Sequence, residues 1–116
     1  VTTQVTFRPG AAGLMAALSV AEKLTSISPV TPRGIQITAN GFDYVPGTYD
    51  RPIGVELYFH ESIENVQSFA QTAEISVANR PHPGPYNLFT FADGVLDGVP
   101  FRAWTLTTEG TVAAAA

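Results

Sequence analysis

The sequence predicts an α+β domain: an antiparallel or mixed β-sheet with two helices packed on one face, in the order β-α-β-β-α-β-β. Three observations carry this expectation. Ile53, Val55, Leu57 and Phe59 alternate with Gly54, Glu56, Tyr58 and His60, the period of two that marks a half-buried strand. Immediately afterwards Ile63, Val66, Phe69, Ala70 and Ala73 recur three or four apart, the period of an amphipathic helix. Strand-like runs outnumber helical ones along the chain, so the helices are expected to cover one face of a sheet. The split β-α-β motif of ferredoxin-like domains is one way to wire that order.

Taken in order, Val1 to Arg8 is rich in Val and Thr and alternates weakly, which predicts a short strand or an extended arm over 1–9. Pro9-Gly10 stops it. Ala11 to Leu24 predicts a helix, with abundant Ala and with Leu14, Leu18, Ala21 and Met15 on its inner face; Met15 reads as core filler. Pro29 and Pro32 forbid a continuous helix, so Thr25 to Arg33 is a linker. Gly34 to Asn40 alternates as a strand and ends at the turn dipeptide Asn40-Gly41. Phe42 to Pro52 is a loop or wide hairpin. After the strand ending near His60, Ser62 stands where an N-cap hydroxyl is needed, with Glu61 and Glu64 at the positive end of the helix dipole.

From Ser76 the chain loosens. Arg80-Pro81-His82-Pro83-Gly84-Pro85 predicts an irregular extended loop. Tyr86 to Phe91 is a strand, and Asp93-Gly94 and Asp97-Gly98 are turn signals. Val99 to Thr108 is the last strand, with Phe101, Ala103 and Thr105 on one face and Arg102, Trp104 and Leu106 on the other. The final two strands are expected to form an antiparallel hairpin with a loop of several residues. Residues 110–116 are a small uncharged tail. There is no internal repeat, and 116 residues make one domain able to bury a core without staples.

Composition narrows the function classes. The chain has no cysteine, so disulfides, thiolate metal sites and cysteine nucleophiles are excluded. Six basic residues are scattered singly in a chain of net charge −4, which argues against a nucleic-acid partner and against a polybasic membrane contact. No run reaches the roughly 18 apolar residues of a membrane span. No basic region followed by an apolar run opens the sequence, so no signal peptide is expected. Charged residues are 14% of the chain, against about 25% in a typical soluble domain. Interface cores are depleted in charge, so this composition points to a subunit covered by neighbours or to a secreted protein.

Few residues volunteer for chemistry. His60-Glu61 is the most enzyme-like pair, but neighbours on a strand point to opposite faces, so it reads as an exposed histidine beside a helix-dipole glutamate. His82, between two prolines, has no second ligand at metal spacing. Asp93 and Asp97 are four apart with apolar residues between them, which is turn chemistry and not a calcium loop. Pro9 to Gly13 precedes a helix but lacks the lysine of a phosphate loop, and no serine lies in a nucleophile elbow. No catalytic residue, metal or cofactor is expected.

The remaining candidates are partner contacts. Aromatics in a loop either fold back on the core or meet a partner, and both readings apply to Phe42, Tyr44 and Tyr49. Arg51, Arg80 and His82 complete the set of candidate partner-contact residues.

Asp50-Arg51-Pro52-Ile53-Gly54-Val55-Glu56-Leu57-Tyr58-Phe59, followed by the helix holding Val66 to Ala73, resembles the middle of tail-terminator (tail-completion) proteins of long-tailed bacteriophages. An early helix such as Ala11–Leu24 and a closing strand pair such as 86–91 and 99–108 are also usual there. The likeness covers about half of the chain; the strand-like start and the proline-rich loop depart from it. It implies a homo-oligomeric ring in the virion, assembled in the host cytoplasm with other virion proteins, with no cofactor and no catalysis. The alternative expectation is a small-molecule-binding protein or enzyme of the dimeric α+β barrel type. In that reading Phe59, His60, Tyr86 and Trp104 line a pocket between sheet and helices.

Overall fold

The structure is a computed structural model that describes residues 4–108. It contains helices α1 (Ala11–Ile27) and α2 (Ile63–Ala73) and strands β1 (Gly34–Thr38), β2 (Gly54–Tyr58), β3 (Val77–Pro81), β4 (Leu88–Leu96) and β5 (Val99–Thr107). The five strands form one mixed sheet in the order β1-β2-β5-β4-β3. Pairing is antiparallel except between β2 and β5, where Val55 lies beside Phe101 and Tyr58 beside Trp104. Two helices over a five-stranded α+β sheet is the predicted class.

Both helices lie on one face. The inward positions of β2 and β5 (Val55, Leu57, Val99, Phe101, Ala103) and Ala92 of β4 meet Val20 and Leu24 of α1 and Val66, Phe69 and Ala70 of α2. Phe69 is fully buried between Phe59 and Phe101, at centroid distances of 6.0 and 6.1 Å. α2 begins as the sequence requires: the Ser62 hydroxyl accepts from the Asn65 N–H at 3.2 Å. The Ser62 N–H in turn donates to the buried Thr105 hydroxyl at 3.2 Å, which fixes the helix start against β5.

Four expectations are corrected. Of the two alternatives expected at the start of the chain, the strand does not form over residues 4–9; the Thr6 N–H donates to the Gly98 carbonyl at 2.9 Å, so this stretch is tied to the β4–β5 turn. β3 forms where an irregular loop was expected. It is an edge strand templated by β4, and Pro81 closes it, where a missing N–H costs least. The β4–β5 loop has two residues, Asp97 and Gly98, at φ 51° and 79°, the left-handed pair of a tight hairpin turn. The strand runs through Asp93-Gly94 because the Phe101 ring occupies the space that a Gly94 side chain would need.

The fourth correction concerns α1. Gly13, Ala17, Val20, Ala21 and Leu24 are its buried residues. Leu14, Met15 and Leu18 are 45%, 68% and 53% exposed. The small residues face inward because they let the helix approach the chain closely: a Cβ on Gly13 would collide with the Arg8 carbonyl. The predicted tail, residues 110–116, lies outside the described residues.

Candidate functional site

Among the described residues the sheet's second face carries no helix. Strand alternation sends Tyr58 of β2, Phe89 and Phe91 of β4, and Trp104 and Leu106 of β5 to that side. All five are half-buried. Much of that burial is mutual. Phe89 and Phe91 stack at 5.0 Å, Tyr58 and Trp104 lie 4.7 Å apart, and Phe89 reaches Trp104 at 6.0 Å.

Two arginines lie over this aromatic layer. The Arg80 guanidinium sits 5.0 Å from the Phe89 ring and 5.1 Å from the Phe91 ring. Arg102 lies 5.5 Å from Phe91 and holds Asp93 with two hydrogen bonds, at 2.7 and 3.3 Å. The Asp93 bond and charge raise the Arg102 pKa, and burial opposes that rise. Arg102 is thus neutralised in place. Arg80 forms no ion pair among the described residues.

The loop 41–52 caps one end of the face. Phe42 is 8% exposed and lies flat on Gly54, where any side chain would collide with its ring. Arg51 donates to the Phe42 carbonyl at 2.9 Å and stacks 4.1 Å from the Tyr44 ring. Phe42 is therefore buried against the sheet, and Arg51 is the bolt of the loop. Tyr44 is half exposed, and Tyr49, at the tip, is 96% exposed. Between this loop and the start of β5 lies a groove of about 910 Å³, walled by Phe42, Tyr44, Pro52, Glu74, Asp93 and Arg102.

At the other end the His60 Nδ1 lies 2.8 Å from the Tyr58 hydroxyl. His60 and Glu61 do not point apart as strand neighbours would. β2 has ended, Glu61 turns at φ 47°, and the two side chains approach to 3.7 Å. Tyr86 donates to Glu61, and that bond and the adjacent negative charge raise its pKa. Both His60 and Glu61 are about half exposed. His82 lies beside Phe89, at 6.5 Å between rings.

The expected pocket between sheet and helices does not form around these groups. Phe59 is sealed in the core at 1% exposure, while Tyr58, His60 and Trp104 gather at the uncovered face. No group of three potential metal ligands occurs among the described residues. No helix among them is long and apolar enough to cross a membrane. Of the six candidate contacts, Arg80 and His82 share the open face; Phe42, Tyr44 and Arg51 build the loop; Tyr49 stands alone. The sequence reading missed Phe89 and Phe91 as surface residues. Their signal was a pair of phenylalanines two positions apart on a strand whose other face carries Leu88 and Ala92.

Neither the protein-family models nor the curated proteins contain a match to this chain.

Proposed function

We propose that this chain is a non-enzymatic structural subunit that works through contacts with copies of itself and with other virion proteins, as a tail-terminator-like component of a long-tailed phage. The observation that supports assembly is the uncovered aromatic face of the sheet. A sheet is stable when both apolar faces are covered, and a contiguous exposed apolar patch marks a contact site. Low charge content agrees with this. The virion setting rests on the sequence resemblance alone. The direct test is mass by light scattering over a concentration series, with and without tail or head proteins. Self-assembly, or assembly upon adding those proteins, supports the proposal. A single-subunit mass throughout would sink it.

A second reading, a small-molecule-binding subunit of the dimeric α+β barrel type, has one observation on its side. Tyr58, His60 and Trp104 form a polar–aromatic corner at the rim of the open face. A two-subunit mass, with Trp104 fluorescence quenched by a small ligand, would favour it.

A further inference from the structure

We infer that the occupant of the uncovered sheet face is helix α1 of a second copy of this chain. This rests on the assembly reading above and adds which surfaces meet. Among the described residues two apolar surfaces on opposite sides lack a partner: the aromatic sheet face, and the outer side of α1 with Leu14, Met15 and Leu18. Sheet-on-sheet pairing would leave the α1 stripe in water, and helix-on-helix pairing would leave the aromatics there. A helix-on-sheet contact covers both at once.

Dimensions and charge agree. The 17 residues of α1 extend roughly 25 Å at 1.5 Å per residue. The five strands span about 19 Å at their usual spacing, so one helix reaches across the sheet. Glu22 follows Leu14 and Leu18 in steps of four and so lies on the same line of the helix. It has no ion-pair partner among the described residues, and the neighbouring Lys23 holds Asp97 at 2.6 Å. Arg80 waits on the sheet face with aromatic contacts only. The helix offers apolar side chains ending in a free carboxylate, and the face offers aromatic rings edged by a free guanidinium. Thioether–aromatic contact suits Met15 to the same surface. Because two different surfaces meet, the contact is heterologous and repeats from subunit to subunit, closing a ring or extending a chain.

The test uses the full chain and its single tryptophan, Trp104, which stands on the face and reports its covering. Wild type should show a concentration-dependent blue shift of emission that tracks mass in light scattering. Leu14→Glu/Leu18→Glu and Arg80→Glu change exposed residues, so each should keep its fold by circular dichroism while association weakens about tenfold or more. Glu22→Arg combined with Arg80→Glu should recover association. Mixing Leu14→Glu/Leu18→Glu with Arg80→Glu should give a two-subunit complex and nothing larger, since each retains one sound surface. If wild type assembles and the α1 variant assembles equally well, the inference is overturned while the assembly reading stands. A folded α1 variant whose Trp104 emission responds only to a single-stranded oligonucleotide would assign the face to another occupant and overturn it as well. A wild-type protein of single-subunit mass under all conditions overturns both.

Discussion

Phe42 and Tyr49 lie in the same loop, and truncating each to alanine should have opposite consequences. A buried phenylalanine removes roughly 150–250 Å² from water, about 4–6 kcal/mol at 25 cal/mol per Å². Alanine keeps a small part of that, and measured Phe→Ala losses run about 3–5 kcal/mol. Phe42 is 8% exposed and lines the groove, so water can enter the space left behind and the void term is small. The expected loss for Phe42→Ala is therefore near the lower end, about 3 kcal/mol. For a domain of this size that lowers the melting temperature by roughly 10 °C. Tyr49 is 96% exposed, and Tyr49→Ala should stay within about 0.5 kcal/mol of wild type. Urea denaturation followed by circular dichroism measures both. A Phe42→Ala midpoint equal to wild type, or a Tyr49→Ala loss of comparable size, would show that the loop does not sit on Gly54 as described.

Ser62→Ala removes the hydroxyl that accepts from the Asn65 N–H and should cost about 1 kcal/mol in thermal unfolding; an unchanged midpoint would count against the cap. Glu74 closes α2 at φ 57°, a conformation that favours glycine, so Glu74→Gly should leave stability unchanged or raise it by up to about 1 kcal/mol. A clear loss would mean the Glu74 side chain has a role of its own. Tyr86 is held above the ordinary tyrosine value of 10.0 by Glu61, because ionisation would break its donated hydrogen bond and set two negative charges together. The folded-state value is the higher one, so its contribution to stability is fully present below pH 10.0 and is lost as pH rises through that higher value. Glu61→Gln should bring the transition back down in a tyrosinate absorbance titration, whereas an identical curve would separate the two residues.

Local pattern was enough for the centre of the molecule. The switch from period two at Ile53–Phe59 to helical spacing at Ile63–Ala73 fixed β2 and α2, and Ser62 marked their junction, because strand pleat, helix pitch and capping depend on neighbours in sequence. Tertiary structure decided the rest. α1 has apolar residues on more than one side, so pattern could not choose its inner face. Close approach chose Gly13, Ala17 and Ala21 and left Leu14, Met15 and Leu18 outside. β3 carries little signal of its own and exists through pairing with β4, a contact between segments apart in sequence. The loop aromatics were legible as a group, but only the missing side chain of Gly54 shows that Phe42 turns in. The open face was half legible: Trp104 and Leu106 were seen to oppose Phe101 and Ala103. That both helices cover the same side was expected from the excess of strands over helices; which aromatics this leaves to Arg80 and Arg102 follows from the order in which the strands join the sheet, which no local pattern records.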